Sequence, residues 1–126
     1  MTRTRLTLLV GLLAMAPACN KGGGGSSIPE SARQEARTIF DSRCTTCHGP
    51  RGGGDGPASA SLNPKPRNFQ DKTWQAGITN AQIDAIIQGG GLAVGKSAAM
   101  PPNPDLADKP MVVAGLREHI RSLAGQ

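Results

Sequence analysis

Five consecutive residues, Cys44-Thr45-Thr46-Cys47-His48, restrict this chain more than any other feature of its 126 residues. Two thiols three positions apart, with a histidine directly after the second, have few chemical uses. A redox-active C-x-x-C of the thioredoxin kind needs a strand–helix–strand setting, and the surrounding sequence has none. A structural zinc site needs four ligands, usually from two Cys/His pairs. The only other histidine is His119, and there is no second cysteine pair.

The remaining use is attachment of a c-type haem. The two thiols can add to the two vinyl groups of one haem, and the adjacent histidine is then held beneath the iron as an axial ligand. The motif thus marks Cys44 and Cys47 as covalent haem anchors and His48 as an iron ligand. Composition agrees. Only Phe40, Phe69 and Trp74 are aromatic, and tyrosine is absent. Aromatic side chains normally supply much of a core's buried area, so a domain this poor in them needs another large apolar body at its centre.

The chain has room for one domain, and its helix signals predict an all-α one. Ser27-Ile28-Pro29-Glu30 reads as an S-x-x-E capping box, followed by an apolar stripe of Ile28, Ala32, Ala36, Ile39 and Phe40 that leads to Cys44. Thr79-Asn80-Ala81-Gln82 is a second capping box. Ile78 and Ile83 are placed for a hydrophobic staple, with Ile83, Ile86 and Ile87 inward and Gly89 to Gly91 ending the helix. A third helix runs from about Asp108 to Leu123 with Val113, Leu116, Ile120 and Leu123 at helical spacing. Between Gly49 and Ile78 the sequence is rich in Gly and Pro and reads as one long loop. Such a loop is unusual in a compact domain unless it wraps a cofactor.

Residues 1–18 read as a signal peptide. Arg3 and Arg5 precede a short apolar stretch, Leu6 to Met15, which falls well short of the roughly 20 residues that span a bilayer. Ala16-Pro17-Ala18 then supplies small residues for cleavage. The next residue is Cys19, an arrangement that resembles the lipobox of bacterial lipoproteins, although Leu is usual where Ala16 stands. With Cys44 and Cys47 engaged elsewhere, Cys19 is odd, and an exposed free thiol is a liability in an oxidising compartment. Lipidation would remove it. Residues 19–27 then form the lipid-anchor Cys and a flexible Gly/Ser linker with a reach of roughly 15 Å, and 28–126 form the folded domain. The expected location is the periplasmic face of a bacterial membrane, with the soluble periplasm as the alternative.

The formal charge of +5 falls to +3 without Arg3 and Arg5, and two haem propionates would bring it near +1. No Lys/Arg run or aromatic-studded basic strand points to nucleic acid. There is no catalytic triad or carboxylate pair, and the glycine clusters lack the residues that phosphate motifs require. Lys65, Arg67, Lys72 and Lys96 fall in loops either side of the expected haem crevice, where they would steer an acidic redox partner.

From residue 28 to 124 the chain resembles class I cytochromes c. The matching pieces are Ala36-x-x-x-Phe40, Cys44-x-x-Cys47-His48-Gly49, Met100-Pro101 after an Ile/Gly-rich segment, and a final helix carrying Leu116, His119 and Ile120. The segment from Gly54-Asp55-Gly56-Pro57 to Asn68-Phe69 is similar to one bacterial subgroup, whose members often serve respiratory chains or stand beside redox enzymes. The resemblance implies three main helices and long loops wrapped around one covalent haem. It implies Met100 as the sixth iron ligand, with Pro101 stiffening an extended loop, and leaves Met111 as core filler. His119 is the rival sixth ligand; in the family its position is commonly aromatic and packs against the first helix. Two terminal helices cross closely there, usually at a glycine; here Ala36 stands in that place, and Gly115 is placed to return the space. Arg67, Asn68 or Trp74 would bind a haem propionate. His48 would donate its second nitrogen to a backbone carbonyl, with Pro57, Pro64 and Pro66 all suitable by position.

With both axial positions filled, the reading is electron transfer without substrate or dioxygen chemistry. A diffusible or tethered shuttle is the leading form. A fixed haem subunit of a membrane redox complex is the alternative, and an enzyme with a labile ligand is the third.

Overall fold

The computed structural model describes residues 27–126, and the regular structure within them is all helical, without strands. The signal segment, Cys19 and nearly all of the linker lie outside the described residues.

Helix α1 (Glu30–Ile39) does not form the expected Ser27 capping box; Pro29 is its N-cap. Ile28 precedes a proline, which disfavours α conformation at that residue, so the helix cannot extend back to Ser27. The Pro29 carbonyl accepts from the amides of Ala32 and Arg33 at 3.0 and 3.1 Å. Glu30 pairs with Arg37 at 2.7 Å instead of capping. Ala32, Ala36, Ile39 and Phe40 are buried as the stripe predicts. The chain then widens into a π-helical turn (Phe40–Cys44) and tightens again into α2 (Thr45–His48). Here Thr45 Oγ1 donates to the Asp41 carbonyl at 2.7 Å and Ser42 Oγ to that of Thr38 at 2.8 Å. Side chains that bond back to the preceding turn favour a bend in a helix.

The stretch from Gly49 to Ile78 is not all loop. It holds a 3₁₀ turn (Pro57–Ser61) and a short helix, α3 (Lys72–Gly77), started by Asp71, whose carboxylate accepts from the amides of Thr73 and Trp74. Helix α4 (Asn80–Gly89) begins with the expected Thr79–Gln82 capping box, buries Ile83 and Ile87, and stops at Gly90.

Helix α5 (Pro110–Ser122) starts two residues later than expected, with proline in its first turn, where a missing amide costs nothing. It buries Val112, Val113, Leu116 and Ile120, with Leu123 just beyond its end. Met111 is 38% exposed and is not core filler. Val112 and Val113 take the inward face at this end of the helix, which turns Met111 outward. Helix α5 crosses α1 at Gly115 and is tied to α4 by the Arg117–Asp84 ion pair.

Candidate functional site

A cavity of ≈ 330 Å³ opens in the middle of the helices, lined by residues from α2, α4, α5 and both long connections. Cys44, Cys47, His48, Arg67, Trp74 and Met100, all named from the sequence, line it. Most of the wall is apolar, with Ile83, Ile86, Ile87, Leu116 and Ile120 on the helical side and Leu62, Pro64 and Pro66 from the loop.

His48 is nearly buried, and its Nδ1 lies 3.0 Å from the backbone oxygen of Arg67. A carbonyl can only accept, so Nδ1 carries the proton and Nε2 keeps its lone pair. Burial holds the His48 pKa below its ordinary value, with the bond to Arg67 acting the other way; a neutral ring is the form that binds iron. The acceptor is therefore Arg67 and none of the three prolines. Phe69 decides this. Its ring stacks on the imidazole with centroids 4.3 Å apart and planes at 15°, and its amide donates to the Gly52 carbonyl at 2.7 Å. Anchored there, the chain turns the carbonyl two residues earlier toward His48.

The C-terminal end of α2 is closed by backbone donors from the glycine-rich turn. Gly54 N–H reaches the His48 carbonyl at 2.8 Å and Gly56 N–H that of Cys47 at 3.1 Å. These bonds cap carbonyls that a helix end leaves unpaired. Cys44 and Cys47 are half-buried and form no disulfide with each other. Before haem is attached, burial would push the Cys44 thiol up to about 11, with the Arg43 cation acting against it.

Met100 is presented by a loop closed on the end of α4. Its carbonyl accepts from Gly91 N–H at 3.0 Å, and Asn103 bonds the Gln88 and Ile87 carbonyls at 2.9 and 2.8 Å. Gly90 has φ +69°, and any side chain there would meet the backbone of Met100 and Pro101. Only glycine suits that pairing of left-handed backbone and close approach.

Arg67 lies over Trp74, 5.8 Å from the ring centroid, in cation–π range. Asn68 does not line the cavity; its Oδ1 accepts from the Gln70 amide instead. Of the four expected basic residues, Lys65, Arg67 and Lys96 line the cavity, but Lys72 does not. It stands in the first turn of α3, against Gly125. Arg43, not expected from the sequence, lines the cavity and pairs with Asp105 at 3.0 Å. His119 points elsewhere. Its ring meets Phe40 edge-on at 4.4 Å, beside a separate hollow lined by Arg33, Arg37 and Glu118.

An apolar cavity with two thiols and an imidazole from the π-helical turn and α2, and a thioether from a separate loop, fits a haem held by C-x-x-C-H. The family model for cytochrome c matches residues 34–123. The chain belongs to the cytochrome c family. Comparison with curated proteins finds no match. The cofactor of this cytochrome c is covalent haem c, for which residues 44–48 supply the attachment pattern, and its helical architecture is that of class I. Family membership makes the protein a haem-based electron-transfer protein that works with redox partner proteins.

Besides Arg43, the roles of Phe69 and Asn103 at the site were not legible in the sequence. Phe69 was visible as one of three aromatics and as the end of the subgroup-like segment, without a role, and Asn103 gave no signal, because its role depends on where α4 ends.

Proposed function

We propose that this cytochrome c carries single electrons with His48 and Met100 as the two protein ligands of the haem iron. The observation that supports this is their convergence: both line one cavity, His48 from α2 and Met100 from a loop closed on α4. The bound haem supplies the one-electron chemistry. The chain's own residues do the rest. Cys44 and Cys47 would hold the macrocycle by thioether bonds. His48 offers Nε2, with its proton held on Nδ1 by the Arg67 carbonyl, and Met100 offers sulfur. The isoleucine-rich wall keeps water away, which disfavours the more highly charged oxidised iron and raises the potential, as methionine ligation does relative to bis-histidine. If His48 and Met100 both hold the iron, substrate and dioxygen would have no coordination site, a reading that favours a carrier over an enzyme.

Lys65, Arg67 and Lys96 at the cavity favour a partner with an acidic docking surface. Export and lipidation at Cys19 would hold the domain at the periplasmic face of a bacterial membrane, within reach of respiratory or other periplasmic redox partners. No helix among the described residues is long and apolar enough to cross a membrane.

Carbon monoxide tests the carrier reading. The reduced wild-type protein should stay unliganded at a concentration that converts Met100→Ala fully. Equal uptake by both proteins would show an open iron and would turn the reading toward ligand chemistry.

A further inference from the structure

Two contacts set the orientation of His48: the bond from Nδ1 to the Arg67 carbonyl and the ring stacked on Phe69. Both belong to residues 67–69, a stretch without helix or strand that runs into the turn before α3. Something must hold that piece still if the imidazole is to keep one orientation. Phe69 N–H to Gly52 O is one tether. The other is a side chain. Gln75, on α3, donates from Nε2 to the Phe69 carbonyl at 2.8 Å and to the Ile120 carbonyl on α5 at 2.9 Å. One half-buried amide thus ties the loop beneath His48 to the terminal helix.

Gln75 is itself locked. Arg121 donates to the Gln75 side-chain oxygen at 2.9 Å and to its backbone oxygen, and its other arm reaches the Ile78 carbonyl at 2.7 Å. Asn80 accepts from the same guanidinium at 3.0 Å. Because Arg121 occupies the Oε1 of Gln75, the amide can only present Nε2 to Phe69. A planar guanidinium with several fixed donors suits this clamp, and an ammonium cannot reproduce it.

The geometry points to Gln75, locked by Arg121, as the positioning residue for His48. The inference rests on His48 being an iron ligand. A firm Nδ1–H···O=C bond gives the imidazole partial imidazolate character, strengthens its donation to iron and favours the oxidised state. Loosening residues 67–69 weakens that bond, and the potential rises.

The test uses the mature holoprotein. Gln75→Met keeps the side-chain length but loses the two donor bonds and the acceptor. Arg121→Lys leaves Gln75 in place but frees it to turn. Gln75→Met should shift the midpoint potential upward by about threefold in the one-electron equilibrium, ~28 mV at about 59 mV per tenfold. Arg121→Lys should give a smaller shift of the same sign. The oxidised-state proton NMR spectrum should also change its spread of haem methyl shifts, which reports the plane of the axial imidazole. A purely structural role would lower the melting temperature and leave both readouts in place. Folded Gln75→Met or Arg121→Lys holoproteins with wild-type potential and wild-type methyl shifts would overturn the inference while His48 ligation stands. If the wild-type spectrum lacked the shifted signals of a ligated imidazole, the ligation reading and this inference would fall together.

Discussion

Gly115 on α5 packs directly against Ala36 on α1: a Cβ added at position 115 would meet the Ala36 methyl at 3.0 Å and the Ala32 carbonyl oxygen at 3.2 Å. The family's usual arrangement places the glycine on the first helix, and this chain places it on the last. Gly115→Ala should therefore destabilise the holoprotein, despite the better helix propensity of alanine. Crowding of this kind costs about 1–3 kcal/mol, and the propensity gain offsets at most about 1. Ala36→Gly in the same chain should recover part of the loss, because it reopens the crossing from the other side. Chemical denaturation of the four proteins in a double-mutant cycle measures this. Strictly additive effects would show that the two residues do not share the space.

His119 gives a pH dependence of defined sign. Burial against Phe40 lowers its pKa, with Asp41 opposing and Arg37 adding to the shift. Its buried Nε2 has no hydrogen-bond partner. The folded state therefore favours the neutral ring. Its contribution is present above the unfolded value of about 6.5 and is lost as pH falls toward the folded one. His119→Phe removes the group and keeps the edge-on contact. Unfolding free energies at pH 7 and pH 5 should fall less in His119→Phe than in the wild type; a larger fall in the variant would contradict the sign.

Removing the haem should remove the fold. The cavity of ≈ 330 Å³ lies among Phe40, Ile83, Ile87, Leu116 and Ile120, which make up much of the core cluster. Without the macrocycle those side chains face water or each other across a gap, and the short helices bury too little area to compensate. Cys44→Ala/Cys47→Ala produced without haem should be largely unfolded by circular dichroism. A cooperative thermal transition in that protein would show that the helices suffice.

The sequence made helices α4 and α5 legible because their signals are local. The Ile83–Ile87 and Val113–Leu116–Ile120 spacings repeat at helical period, and Thr79–Gln82 forms a cap within four residues. The haem motif was legible for the same reason. What stayed hidden depends on tertiary path. The acceptor for His48 is a backbone oxygen, which any residue supplies, so only the anchoring of Phe69 selects Arg67 over the three prolines. Helix α3 spans only six residues, too few for a periodic pattern, and its single signal is the cap at Asp71. Ser27 failed as a cap because the proline two residues later acts on Ile28 between them.

Attachment to a membrane makes a separate prediction. If Cys19 carries lipid, haem-stained wild-type protein should remain with membranes after a high-salt wash, since salt removes electrostatic but not acyl attachment. Cys19→Ala should appear in the soluble fraction. Release of both proteins by salt would mean ordinary secretion after Ala18.

The central claim is that His48 and Met100 together close the iron to outside ligands. The measurement that tests it most directly is the near-infrared absorption of the oxidised holoprotein, where a weak sulfur-to-iron band marks methionine ligation. The wild type should show the band, His119→Phe should retain it, and Met100→Ala should lose it. A band that persists in Met100→Ala, or that disappears in His119→Phe, would contradict the assignment.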